Sequence, residues 1–124
     1  MSLTNPTELR EVRGLKPHQM EIMRAFIQGA VYCWVKNRPG QWFHARDLFG
    51  GENTIWHGTP LQLLYDKHLL LGKAHDEAFE AAAKDAGWLM KAVLNDDKRL
   101  FENDHSGYAS KYFWVQQSPD VGDA

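Results

Sequence analysis

The segment from Asp76 to Val115 constrains the fold of this chain more than any other part of its sequence. Up to about Asn95, apolar residues recur every three or four positions, which is the spacing of one helix face. That face comprises Phe79, Ala82, Ala83, Ala86, Leu89, Met90, Val93 and Leu94. Alternating residues then predict strands at 98–102 and 111–116, separated by a turn at 103–107. A long helix running into a β-hairpin is therefore expected.

Length and composition predict one folded domain. The chain has 124 residues, of which 44% are hydrophobic and 12% aromatic, and this composition suits a single modest core. We expect residues 1–116 to form the domain and residues 117–124 to form a flexible tail, because the tail has no apolar pattern. No apolar run is long enough to span a membrane, and residues 1–4 lack the features of a secretory signal. A cytoplasmic protein is expected.

Two helices are predicted in the first third of the chain. Asn5-Pro6-Thr7-Glu8 has the cap, the proline and the acidic residue of a helix start, and Gly14 would end this helix. The second helix is predicted from Pro17 to Lys36, with one apolar face. That face comprises Gln19, Ile22, Met23, Phe26, Ala30, Cys33 and Trp34. Cys33 is the single cysteine and is expected to be a buried thiol.

Shorter elements are predicted between this helix and Asp76. After the helix-breaking residues 37–40, residues 41–44 are expected to be extended and residues 45–49 to form one helical turn. Thr59-Pro60-Leu61-Gln62 has the pattern of a capping box and predicts a helix that stops at Gly72. Asp76 is the predicted cap of the long helix.

The order of the predicted elements resembles the winged helix-turn-helix superfamily. The resemblance is carried by the helix from Pro17, the extended Trp42-Phe43-His44, the helices after Thr59 and Asp76, and the hairpin ending at Val115. It implies an α+β, mainly α fold, which is a winged-helix-like helical domain with a C-terminal β-hairpin. It also implies duplex DNA as a partner, with a reading helix and a wing.

Two assignments of the helix-turn-helix fit this order. In the first, the helices after Thr59 and Asp76 form the pair. In the second, the turn from Ala45 begins the pair, the Thr59 helix is the reader and the Asp76 helix is an insertion. We favour the first, because only the Asp76 helix leads directly into the hairpin.

The polar face of the long helix supplies the first candidate DNA-binding residues. At 100° per residue, the side opposite the apolar face carries Lys84, Trp88, Lys91 and Asn95. We expect the two lysines to contact phosphates, Asn95 a phosphate or a base edge, and Trp88 a sugar or a splayed base. In the competing interpretation Trp88 packs under the wing, a connector or a partner subunit, and the lysines are simply solvated.

The hairpin supplies the second group. Its candidate DNA-binding residues are Lys98, Arg99 and Lys111. Glu102 and Asp104 weaken the positive field there, so a solvated hairpin of mixed charge is the alternative. A third basic group, interpreted as solvated, is Lys36, Arg38 and Arg46.

The overall charge does not favour nucleic-acid binding. The chain has 14 basic and 16 acidic residues, whereas duplex-binding domains usually have a basic footprint. Seven of the basic residues lie among the first 50 residues, so a local basic face is compatible with the net charge of -2.

No catalytic, metal or cofactor site is predicted. The six histidines include neither a His-x3-His pair on a helix nor a Cys/His cluster. The acidic residues Asp96, Asp97, Glu102 and Asp104 resemble a nuclease cluster in number, but the end of a helix and a turn explain their polarity.

Two functions are therefore expected as alternatives. The first is a non-catalytic DNA-binding protein, either a transcriptional regulator or an accessory factor. The second is a protein–protein interaction module on the same scaffold, either a homodimer or an adaptor, which uses Trp56, Trp88 and the hairpin aromatics.

Overall fold

Four helices precede a two-stranded antiparallel sheet in the computed structural model, which describes residues 2–50 and 55–115. The helices are α1 (Pro17–Asn37), α2 (Ala45–Phe49), α3 (Gln62–Leu70) and α4 (His75–Asp96). The strands are β1 (Phe101–Asp104) and β2 (Lys111–Trp114). The fold is α+β and mainly α, as predicted. The predicted tail at 117–124 lies outside the described residues.

Helix α4 lies at the centre of the core. Its buried residues are Ala78, Ala82, Ala86, Leu89, Met90, Lys91, Val93 and Leu94. Helix α1 contributes Met23, Ile27, Val31 and Val35, which recur every four residues and so form one face. Phe43, Phe101 and Tyr112 close the core from the side of the sheet. Within the described ranges, no helix combines the length and the apolar character that a bilayer span requires.

The hairpin is extended on both edges by single bridges. Phe101 lies opposite Trp114 in the antiparallel register, and Leu3 forms a parallel bridge with Phe101. On the other edge, Phe43 forms an antiparallel bridge with Tyr112. The extended piece predicted at 41–44 therefore joins the sheet through Phe43.

Strand β1 begins three residues later than the predicted start at Lys98. The carboxylate of Asp97 accepts a hydrogen bond from the backbone N–H of Arg99 at 2.8 Å, which holds the chain in a turn before the strand. Residues 103 and 104, predicted to lie in the turn, belong to the strand instead.

The helix predicted at Asn5 is wrong, because residues 5–13 have no regular secondary structure. The side chain of Asn5 donates to the backbone oxygen of Asn103 at 2.7 Å, and its backbone N–H donates to the Asn103 side chain at 2.8 Å. The backbone N–H of Thr4 donates to Phe101 at 3.0 Å. These long-range bonds hold the segment against β1 and outweigh the local helix signal.

The expected burial of Cys33 is also wrong, since this thiol is exposed. The buried face of α1 passes through Val31 and Val35, and Cys33 lies midway between them on another side of the helix. Ile22, which the same prediction placed inward, is 52% exposed. Sequence periodicity predicted the helix correctly, but it assigned the buried face to the wrong side of the helix.

Two predicted helix caps are not formed. The hydroxyl of Thr59 donates to the backbone oxygen of Trp56 at 2.8 Å, and α3 starts at Gln62 with Leu61 as its N-cap residue. Helix α4 starts at His75, so Asp76 lies within its first turn instead of capping it. A carboxylate there still stabilises the helix through the macrodipole.

Candidate nucleic-acid interface

The C-terminal half of the polar face of α4 is covered by the N-terminal segment. Lys91, predicted to be exposed, is only 8% exposed, and that expectation was wrong. Its ammonium group donates to the hydroxyl of Thr7 at 3.1 Å and to the backbone oxygen of Glu8 at 3.2 Å. Burial lowers the pKa of Lys91; the negative charge of Glu8 raises it, and the positive charge of Arg10 lowers it.

The neighbours of Lys91 on this face are partly covered as well. Trp88 is half-buried, with the ammonium of Lys91 4.5 Å and the guanidinium of Arg10 4.7 Å from its ring centroid. The backbone oxygen of Asn95 accepts from the N–H of Ser2 at 3.1 Å. Trp88 thus packs beneath the N-terminal segment. It is partly covered, as in the competing interpretation, but by a segment that this interpretation did not name.

Lys84 is the one fully exposed member of the four predicted residues on α4. Its ammonium lies 3.7 Å from the carboxylate of Glu80, and Asp76 and Glu77 are exposed on the same half of the helix. These carboxylates repel phosphates. The four predicted residues do not form one open basic surface.

A different surface brings basic and aromatic side chains together. It consists of Tyr32, Lys36, Arg99 and Trp114, and we call it the Trp114 surface. The exposed Lys98 precedes Arg99 in the chain. The ammonium of Lys36 lies 5.0 Å and the guanidinium of Arg99 5.6 Å from the centroid of the Trp114 ring. Arg99 also lies 4.0 Å from the ring centroid of Tyr32. The structure thereby joins the second and third basic groups of the sequence.

The end of α4 positions the cationic side chains of this surface. The buried carboxylate of Asp97 accepts from the hydroxyl of Tyr32 at 2.9 Å and from the backbone N–H of Arg99. Lys36 follows Tyr32 by four residues, which places both on one side of α1. Lys36 therefore reaches this surface from α1, and Arg99 reaches it from the link between α4 and β1.

Two further cations lie over tryptophan rings nearby in the fold. Arg38 is 5.1 Å from the centroid of Trp34, at the end of α1. Lys111 is 5.1 Å from the centroid of Trp42 on the outer side of β2, but its ammonium is also 3.9 Å from the carboxylate of Asp104. Asp104 weakens the positive field at Lys111, so this residue flanks the surface.

Charge is separated along the axis of α4. Near its N-terminus the exposed charged side chains are mostly acidic, and they include Asp66 on α3 together with Asp76, Glu77 and Glu80. At 1.5 Å per residue, the 22 residues of α4 place this end about 33 Å from the other. At the far end, Lys36, Arg38 and Lys98 are exposed and form no ion pair with a described residue. The net charge of -2 is therefore compatible with exposed cations at this end that form no ion pair with a described residue.

Three of the four acidic residues that resembled a nuclease cluster have structural partners. Asp96 pairs with the guanidinium of Arg24 at 2.7 Å, and Asp97 is buried beside Tyr32. Hydrogen bonds from the side chain and backbone of Ser106 lower the pKa of Asp104. Among the residues of known placement, no three His, Cys, Asp or Glu side chains come together as a metal site.

Sequence reasoning missed Lys36 and Trp114 as site residues. Lys36 was interpreted as a solvated lysine, and Trp114, one of the hairpin aromatics, was assigned only to the alternative protein–protein interface. The pair of an aromatic residue and a lysine four positions apart on α1 was a usable local signal. The position of Lys36 and Arg99 over one tryptophan ring depends on how α1 packs against the hairpin, and no local pattern encodes it.

Comparison with known proteins found no matching family model, curated protein or solved structure.

Proposed function

We propose that this protein is a non-catalytic DNA-binding domain that contacts the phosphate backbone through the Trp114 surface. The observation that carries the proposal is the convergence of Lys36 and Arg99 on one tryptophan ring. Cations held over aromatic rings are pre-ordered, which lowers the entropy cost of binding a phosphate. Lys98 adds an exposed cation with no acidic partner among the described residues.

The order of elements supports the same proposal. The winged-helix resemblance rested on a helix, an extended piece, further helices and a hairpin, and the bridge between Phe43 and Tyr112 is compatible with that order. The proposed contact region is the link between α4 and β1 together with the end of α1, instead of the polar face of α4. It keeps Lys98 and Arg99 from the sequence prediction and leaves out Lys84, Trp88, Lys91 and Asn95.

Fluorescence anisotropy with a labelled duplex of random sequence at low salt tests the proposal. The double variant Lys36→Ala/Lys98→Ala should bind on the order of tenfold more weakly than the wild type, since two phosphate contacts are lost. Neither lysine side chain is buried, so the double variant should fold normally.

Lys84→Ala is the matched control. It removes an exposed lysine from the acidic half of α4 and should leave the affinity unchanged. Wild-type protein that does not bind at low salt would refute the proposal. A loss of affinity in Lys84→Ala alone would instead favour the original assignment to the α4 face.

A further inference from the structure

A small cavity near the N-terminus of α4 is lined mainly by rings. Its volume is about 160 Å³, and Trp56, His57, Tyr65, His75 and Phe79 contribute to its wall. Cavities for drug-sized ligands are larger, on the order of 300–1,000 Å³. The cavity is therefore suited to one small chemical group.

Direct contacts hold three of these rings in place. Trp56 is buried, and its indole N–H donates to the backbone oxygen of Phe49 at 2.9 Å. The ring centroids of Trp56 and Phe79 are 5.0 Å apart, and those of Tyr65 and Phe79 are 6.5 Å apart. The cavity is thus already formed before a ligand enters.

A hydrogen bond fixes the rim of the cavity. The hydroxyl of Tyr65 lies 2.5 Å from Nδ1 of His75, which ties α3 to the first turn of α4. Gln62, also at the rim, donates from its side chain to the carboxylate of Asp66 at 3.1 Å. Tyr65, His75 and Gln62 therefore each have a hydrogen-bond partner.

The surroundings of the cavity favour a cation over a neutral group. Aromatic faces attract cations through the ring quadrupole, and no lysine or arginine of the described chain lines the cavity. The N-terminus of α4 carries a partial positive charge that opposes a cation. Asp76 and Glu77, both exposed in the first turn, offset that charge, and Asp66 lies beside the rim.

We propose that this cavity binds a methylated ammonium group, carried either by a small molecule or by a lysine side chain. The rings contact the methyl groups, and the positive charge is stabilised by the aromatic faces and the nearby carboxylates. The site lies at the end of α4 opposite the Trp114 surface, so it does not depend on DNA binding.

Titration of the full chain with choline and with its neutral isostere 3,3-dimethyl-1-butanol tests the charge requirement. The indole N–H resonance of Trp56 reports binding. Choline should bind roughly tenfold more tightly than the isostere, the advantage expected from cation–π contacts. Equal affinities, or no binding of any methylated ammonium, would overturn the proposal.

Variants locate the site. Phe79→Leu should weaken choline binding severalfold, whereas Phe26→Leu, a half-buried phenylalanine on α1, should not. Tyr65→Leu and Tyr65→Phe form a second pair in case Phe79→Leu fails to fold. Only the leucine variant removes the ring, so loss of binding in Tyr65→Leu with retention in Tyr65→Phe supports the site. Unchanged affinity for choline in both Phe79→Leu and Tyr65→Leu would contradict the proposed site.

Short peptides containing either trimethyllysine or lysine distinguish the two sources. Affinity for the trimethyllysine peptide above that for choline, with little affinity for the lysine peptide, assigns a modified side chain. Weaker binding of the trimethyllysine peptide than of choline assigns a small molecule.

Discussion

The neighbours of His105 determine which of its ring nitrogens carries the proton. The backbone N–H of Asn5 donates to Oδ1 of Asn103 at 2.8 Å, and Nδ2 of Asn103 donates to the backbone oxygen of Asn5 at 3.0 Å. The amide orientation is therefore fixed, and Nδ2 also lies 2.8 Å from Nε2 of His105. That nitrogen must accept, so Nδ1 donates to the hydroxyl of Ser110 at 2.6 Å.

Acidification should break this arrangement, because a proton on Nε2 would face another donor. Burial lowers the pKa of His105, the positive charge of Lys91 lowers it further, and the negative charge of Asp104 raises it. The folded chain then binds fewer protons than the unfolded chain, whose histidine pKa is about 6.5. The stabilisation is complete above that pH and is lost as the pH falls through it towards the folded pKa.

Urea denaturation of the wild type and His105→Asn between about pH 8 and pH 5 measures this effect. The difference in free energy of unfolding should shrink by on the order of 1 kcal/mol at the acidic end, the contribution of one hydrogen bond. His18→Asn changes an exposed histidine and should follow the wild type. A constant difference between the wild type and His105→Asn across this pH range would contradict the assignment.

Single residues were predicted well only where neighbours in sequence determine their surroundings. Tyr112 lies within the predicted second strand, and burial raises its pKa to about 12. Cys33 and Lys91 were both assigned to the wrong environment. The exposure of each depends on the rotation of a helix about its axis and on a segment that packs over it, which a helical period leaves undetermined.

At the scale of elements, the N-terminal segment and the hairpin stabilise each other. Asn103 is 1% exposed, and its side chain bonds both backbone groups of Asn5 as well as His105. The same segment continues over Lys91 on α4. The amide side chain of Asn103 thus links the sheet to the segment, and Lys91 links the segment to the central helix.

Asn103→Ala should lower the free energy of unfolding by about 2–3 kcal/mol, because the backbone N–H and backbone oxygen of Asn5 lose their side-chain partner. Chemical denaturation measures the loss, and hydrogen exchange at the amide of Asn5 should accelerate in the same variant. Asn37→Ala, at the exposed end of α1, should change stability by less than about 0.5 kcal/mol. Equal losses in the two variants would argue against the linking role of Asn103.

The predicted order of elements from Pro17 onwards was confirmed, since each has a clear period or a breaker. The helix at Asn5 was predicted from a local cap pattern as good as any other in the chain. The helix does not form because the side chain and the backbone N–H of Asn5 donate hydrogen bonds to Asn103 instead of capping a helix. Local and long-range bonds compete for the same polar groups, and only the second kind requires the rest of the fold.

For the molecule as a whole, the separation of charge between the two ends of α4 leads to a prediction about salt. The proposed DNA binding through the Trp114 surface would release counterions, so affinity should fall steeply between about 50 and 200 mM salt. The logarithm of the binding constant should vary linearly with that of the salt concentration. Lys36→Ala/Lys98→Ala should reduce this slope by about 2, or one for each lost phosphate contact.

Anisotropy titrations at several salt concentrations provide the slopes for the wild type, the double variant and Lys84→Ala. The Lys84→Ala slope should match that of the wild type, because this lysine lies among carboxylates. A double variant with the wild-type slope would show that the contacts with DNA lie elsewhere.

The sequence by itself determined the α+β composition, the long helix leading into the hairpin, and the breaker between α1 and α2. Periodicity and turn residues act over a few positions, and those features are local. Only the tertiary structure determines that the N-terminal segment covers Trp88 and Lys91. It also determines that Lys36 and Arg99 both lie over the ring of Trp114. These contacts join residues far apart in the chain, so their formation depends on how the elements pack and not on any local pattern.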